Sequence, residues 1–217
     1  MNRFVHILTT TLLGALVCAV ASCGPALGLL TYWANPPQTV KAVCELPDDK
    51  RICVFVEDAP FAGSRPLARM LTSEINAQLE RNDVAAETVP YGELLELAAV
   101  MPDYSTTSVL ELARRVDADL LVEVSVTEFS LRYAEAGQVW KGQLGAVVEA
   151  RRVDTGRRLG PGDDPEGYHV EPVELPMTSS ADPHYGDQLT RELTARMADR
   201  IAKLFYDHKV RPADRQQ

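Results

Sequence analysis

The chain has 217 residues, 46% hydrophobic and 24% charged, with 14 Pro, 13 Gly and 6% aromatic residues. At roughly 150 residues per domain this is one domain with some chain to spare, and the apolar share excludes wholesale disorder. Lys and Arg number 22 against 31 Asp and Glu, a formal charge of −9, which argues against a nucleic-acid coat protein, where clustered cations must meet phosphates. The 4 Cys lack CxxC pairs and are too few for a disulfide-built scaffold, so a structural zinc site is not expected either.

Residues 1–22 read as a secretory signal: one basic residue, Arg3, then the apolar runs Phe4–Leu8 and Leu12–Val17. The segment ends in Val20-Ala21-Ser22-Cys23, an aliphatic residue, two small residues and a cysteine. This stretch resembles a bacterial lipobox, which implies that Cys23 becomes the lipid-bearing first residue of the mature protein. The rival reading is an uncleaved anchor, because Leu27, Leu29, Leu30, Tyr32 and Trp33 extend the apolar stretch to about 30 residues, enough to span a bilayer. Gly24-Pro25 interrupts it where a helix would have to continue. Both readings place the body outside the cytoplasm. Cleavage would remove one cation and no acid, leaving 21 cations against 31 acids and a charge of −10. Attraction to anionic lipid is therefore not expected.

Residues 23–39 form a tether with an extended Asn35-Pro36-Pro37 end, 40–208 a single domain, and 209–217 a polar tail. Val40–Val43 and Arg51–Val56, separated by Pro47-Asp48-Asp49-Lys50, predict a hairpin, and Ile52–Val56 is apolar on both faces, as in an interior strand. Ser64 suits a helix cap, and Leu67, Leu71, Ile75 and Leu79 predict an amphipathic helix of about five turns. Val84–Val89 reads as a short strand, Tyr91–Val100 and Thr106–Val116 as short helices. Leu120, Val122, Val124 and Val126 alternate with Glu123, Ser125 and Thr127, which predicts a strand with one face in the core. Val139–Val153 alternates likewise, Asp154-Thr155-Gly156 is a turn, and Arg157–Leu159 a short return strand. Gly160–Gly167 is a loop. His169–Leu175 is an edge strand because of its prolines. Leu189, Leu193, Met197, Ile201 and Phe205 mark a last helix laid on the sheet. Helices between strands, one strand apolar on both faces, predict a layered α/β sandwich with a mixed sheet.

The element order and three stretches resemble the α/β domain of bacterial envelope lipoproteins: the CsgG family of curli secretion, the TolB amino-terminal domain and the lipoprotein activators of penicillin-binding proteins. The stretches are Ile52–Val56 with its following helix, Ala113–Val124, and Ala150–Leu159. The resemblance implies a protein that binds envelope partners rather than one that does chemistry. Curli-type channels add membrane-spanning hairpins of about ten residues per strand; here the one long hairpin is already required for the domain sheet.

Candidate sites are few. Cys44 and Cys53 face one another if Asp48-Asp49 centre the hairpin; they are either a disulfide or two buried thiols. His169, His184 and His208 lack metal-ligand spacing, and Asp163, Asp164 and Glu166 lack EF-hand spacing. Thr155–Arg158 is no phosphate loop, and Ser64 has no histidine partner or nucleophile elbow. Neither catalytic residues, a metal nor a cofactor is expected. The leading function is a lipoprotein held in the envelope by lipid on Cys23, facing the periplasm and docking a protein partner. A subunit of an oligomeric secretion apparatus and a lipid-anchored hydrolase are the alternatives.

Overall fold

The computed structural model describes residues 38–57, 65–134, 139–179 and 184–210. It divides into two units, described separately. In the first, β1 (Gln38–Val40) pairs antiparallel with β8 (His208–Val210), Thr39 opposite Lys209. The ends assigned above to tether and tail thus contain a small ladder.

The second unit, residues 41–207, is a mixed sheet with helices on both faces, the architecture expected. Its elements are β2 (Arg51–Glu57), α1 (Arg65–Arg81), β3 (Glu87–Thr88), α2 (Tyr91–Val100), α3 (Val109–Arg115), β4 (Leu120–Ala134), β5 (Val139–Arg152), β6 (Arg158–Gly160), β7 (Tyr168–Ser179) and α4 (Tyr185–Ala202). Strand order is β3-β2-β4-β5, with β6 and β7 both on the far edge of β5. β2 runs parallel to β3 and β4, and β4–β5 is an antiparallel hairpin. No helix among the described residues is long and apolar enough to cross a membrane.

β2 separates two cores, as its doubly apolar sequence requires. Ile52, Val54 and Val56 enter the larger one with Leu67, Leu71, Ile75 and Leu79 of α1 and Leu189, Leu193, Met197 and Ile201 of α4. Cys53 enters a smaller one beneath α2 and α3 with Leu94, Ala113, Leu121 and Val153. α1 carries Pro66 in its first turn, where a missing N–H costs nothing. Ser64, read as its cap, lies outside the described residues. α3 starts later than its apolar pattern suggested, because the Ser108 hydroxyl accepts from the Glu111 N–H and caps it there. It ends where Asp117 takes φ 51° and Ala118 N–H reaches back to the Ala113 carbonyl.

Irregularities in the sheet keep its apolar face inward. Between Val126 and Glu128 the β4–β5 register shifts, so Thr127 is an extra residue. The shift reverses the pleat phase: Val122, Val124 and Val126 face the large core before it, Phe129 and Leu131 after it. β7 outruns the predicted Leu175 because its register against β5 shifts twice, once around Pro172 and once around Pro176. Bulges accommodate residues that cannot donate to a ladder. The Arg200 Nη1 donates to the carbonyls of Glu171 and Pro172, each at 2.7 Å, and so satisfies the backbone at one bulge.

The predicted hairpin before β2 is not built. Residues 41–50 are irregular, and the N–H groups of Val43 and Cys44 both donate to the Leu204 carbonyl. The partner of this segment is therefore the turn that follows α4, not β2. The cysteine pairing that rested on the hairpin falls with it. Cys44 lies in the larger core and Cys53 in the smaller, on opposite faces of the sheet, and both are free thiols.

Candidate functional site

Cys23 lies outside the described residues. Of the other singled-out groups, Cys53 is the most deeply buried, and burial away from water pushes its thiol up to about 12. A thiolate is the reactive form, so this is an inert core residue. The Cys44 thiol, also raised by burial, sits 3.5 Å from the Leu159 carbonyl. His169 lies in β7, His184 at the start of α4 and His208 in β8. Among the described residues no three His, Cys, Asp or Glu side chains gather as metal ligands. In the 160–167 loop Asp164 spends its carboxylate on the Glu166 N–H at 2.9 Å, an ordinary turn. The Thr155–Arg158 turn is similarly self-contained: Asp154 accepts from Arg152 and from the Thr155 N–H, which holds its carboxyl at about 2.

Two features escape a residue-by-residue reading. The first is a polar strip on the sheet face opposite α1 and α4, beyond the cover of α2 and α3. Glu123 of β4 stands directly across from Glu149 of β5. Arg151 Nη2 lies 2.9 Å from one Glu149 oxygen and Arg158 Nε 3.3 Å from the other. Glu149 is thus clamped between two guanidinium groups. Glu123 has no such clamp, and its carboxyl is raised, mainly by burial and further by Glu149 and Glu57, with Arg151 opposing.

The second is a cleft along α1. Arg69, Met70, Ser73 and Glu74 face Gln188, Arg191, Glu192 and Ala195 of α4 across about 590 Å³. At Arg69 and Met70 it meets a second hollow of about 500 Å³ whose other walls are Pro66, Tyr91 and Leu95. The walls are apolar where Met70, Pro66, Tyr91 and Leu95 meet. Leu95 is 51% exposed, although its neighbour Leu94 is buried in the smaller core. The charges are unevenly committed. Glu192 binds Arg196 at 2.6 Å, whereas Arg69, Arg191 and Glu74 enter no ion pair among those formed by described residues, including Arg51–Glu93, Arg114–Glu111 and Arg200–Glu171. An apolar trough with two uncommitted guanidinium groups beside one uncommitted carboxylate, Glu74, can hold a segment that brings apolar side chains and sets a carboxylate against Arg69 or Arg191. The apolar pattern of α2 hints at this, since its five leucine and alanine positions are too many for one buried stripe. The cleft itself needs three helices brought together.

No protein-family model matches the chain, and no curated protein matches it. Solved structures with a similar chain path exist. A PelC dodecamer from Paraburkholderia phytofirmans is 14% identical, covering 79% of this chain and 98% of that one, TM-score 0.40. Lipoprotein GNA1162 from Neisseria meningitidis is 13% identical, covering 70% and 99%, TM-score 0.41. The LpoB C-terminal domain from Salmonella enterica is 11% identical, covering 62% and 86%, TM-score 0.32. At these scores the likeness assigns no activity, and a specific kinship with the CsgG family or the TolB domain is not shown.

Proposed function

We propose that this chain is an envelope lipoprotein, tethered to a membrane by lipid on Cys23, that acts by docking a protein through its α1 cleft rather than by catalysis. The tether half rests on sequence: Val20-Ala21-Ser22-Cys23 closes an apolar run that follows a single basic residue. A lipid anchor contributes about 0.8 kcal/mol per buried methylene, so several acyl chains hold the domain stably at the surface. The observation that carries the docking half is the cleft, where exposed apolar walls adjoin Arg69 and Arg191, neither of them ion-paired.

Affinity capture of the full chain from membranes tests both halves. The wild type is expected in the membrane fraction with a copurifying protein, and Cys23→Ala in the soluble fraction or as unprocessed precursor. Arg191→Glu, an exposed change, keeps the anchor and loses the copurifying protein. Intact mass of the mature protein showing no lipid on Cys23 contradicts the tether; undiminished capture by Arg191→Glu contradicts the cleft.

A further inference from the structure

The docking reading leaves the occupant of the cleft open; the inference here rests on that reading and names one. Within α2, the outward arc carries Gly92, Leu95, Glu96, Ala99 and Val100, all exposed. Leu95 and Val100 are two of the three large hydrophobic side chains exposed among the described residues, Val100 at 76%. A Cβ built on Gly92 meets nothing within 4 Å, so the arc faces open space. The helix has two glutamates and no cation. Glu93 is committed to Arg51 at 2.8 Å, which leaves Glu96 as the only uncommitted charge on the arc. The arc therefore offers apolar side chains and one carboxylate. The adjoining hollow offers the complement, Met70, Pro66 and Tyr91 with Arg69 as its one charged side chain, unpaired; Arg191 lies in the neighbouring cleft, which also holds the unpaired Glu74.

α2 cannot fill a hollow whose wall it forms. A second copy can, and because arc and cleft adjoin at Leu95, a two-fold axis there lets each copy fill the other. We propose that two copies of this chain dock face to face, the α2 arc of each in the α1 cleft of the other, with Glu96 of one copy against Arg69 of its partner. A membrane surface is a poor alternative occupant, because an arc with a carboxylate and no cation is repelled by anionic headgroups. Two short helices in two clefts still make a small interface, of the class of transient contacts. Tethering both copies to one membrane raises their effective concentration and compensates for that.

Light scattering of the detergent-solubilised full chain across a concentration series tests this. A dimer is expected. Glu96→Arg and Arg69→Glu should each weaken it by roughly tenfold or more, since like charges are juxtaposed, and the double variant should recover it. Both positions are exposed, and unchanged thermal melts will show that folding is intact. A chain that stays monomeric while Arg191→Glu still loses a copurifying protein overturns the two-copy inference and leaves the docking reading standing. A dimer indifferent to both reversals overturns the assigned surface. Neither a dimer nor a copurifying protein overturns both.

Discussion

The two faces of the sheet solve burial differently. On one, α1 and α4 lie side by side over the large core, and no described residue of β2, β4, β5 or β7 is both buried and polar. On the other, α2 and α3 cover one end with a core of eight buried residues, and the rest carries Glu123, Glu149, Arg151 and Arg158. On the docking reading proposed above, stability and recognition are kept apart. The thick face holds the fold; its outer surface and the exposed arc of α2 are free to bind.

The contrast can be pressed hardest in the cores. Ile201→Ala removes a side chain with no exposed area and is expected to cost on the order of 2–5 kcal/mol, toward the upper end because α1, α4 and the sheet hold the cavity open. Leu94→Ala, in the thinner core, should fall toward the lower end, since α2 can settle onto the space. Denaturant midpoints of the two variants check this; a larger loss for Leu94→Ala breaks the comparison. Gly142→Ala probes the thick face from the other direction. A Cβ there meets Leu193 Cδ1 at 2.9 Å, so an overpacking cost of about 1–3 kcal/mol is expected, visible as a lower Tm.

The thin face should respond to pH. Burial and Glu149 raise the Glu123 carboxyl above its ordinary value, so between the unfolded and folded values the folded state holds the extra proton. Stability from this group is present at pH below that window and lost as pH rises through it. Glu123→Gln should therefore stabilise the protein at neutral pH, with a gain that shrinks on acidification. Chemical melts at neutral and acidic pH read this out, and a gain that grows on acidification contradicts it. The smallest effect belongs to α2: Leu95→Ser, at a half-exposed position, should change stability by less than about 0.5 kcal/mol. Thiol alkylation gives a related check, with Cys44 and Cys53 unreactive in the folded protein and both modified after unfolding without reductant.

What the sequence disclosed follows the range of the interactions. Ile52–Val56 announced an interior strand and Leu189–Ile201 a helix on the sheet, because burial of a periodic stripe is written locally. The segment before β2 misled for the same reason. Pro47-Asp48-Asp49 is a sound turn signal, but the hydrogen bonds of Val43 and Cys44 go to Leu204, far along the chain. The prolines of β7 marked it as an edge strand, and bulges at Pro172 and Pro176 carry it past the expected Leu175. Alternation placed Glu123 outward correctly, yet its opposition to Glu149 depends on β4–β5 register. The cleft was illegible, since Arg69, Leu95 and Arg191 meet only through packing.

On the proposed reading, recognition belongs to the α1 cleft. A photo-cross-linking residue placed at Ser73, in the cleft, or at Ser125, on the thin face, in the full membrane-bound chain tests it most directly. Protein adducts of raised mass are expected from Ser73, and few or none from Ser125. Adducts from Ser125 alone, or equally from both, contradict it.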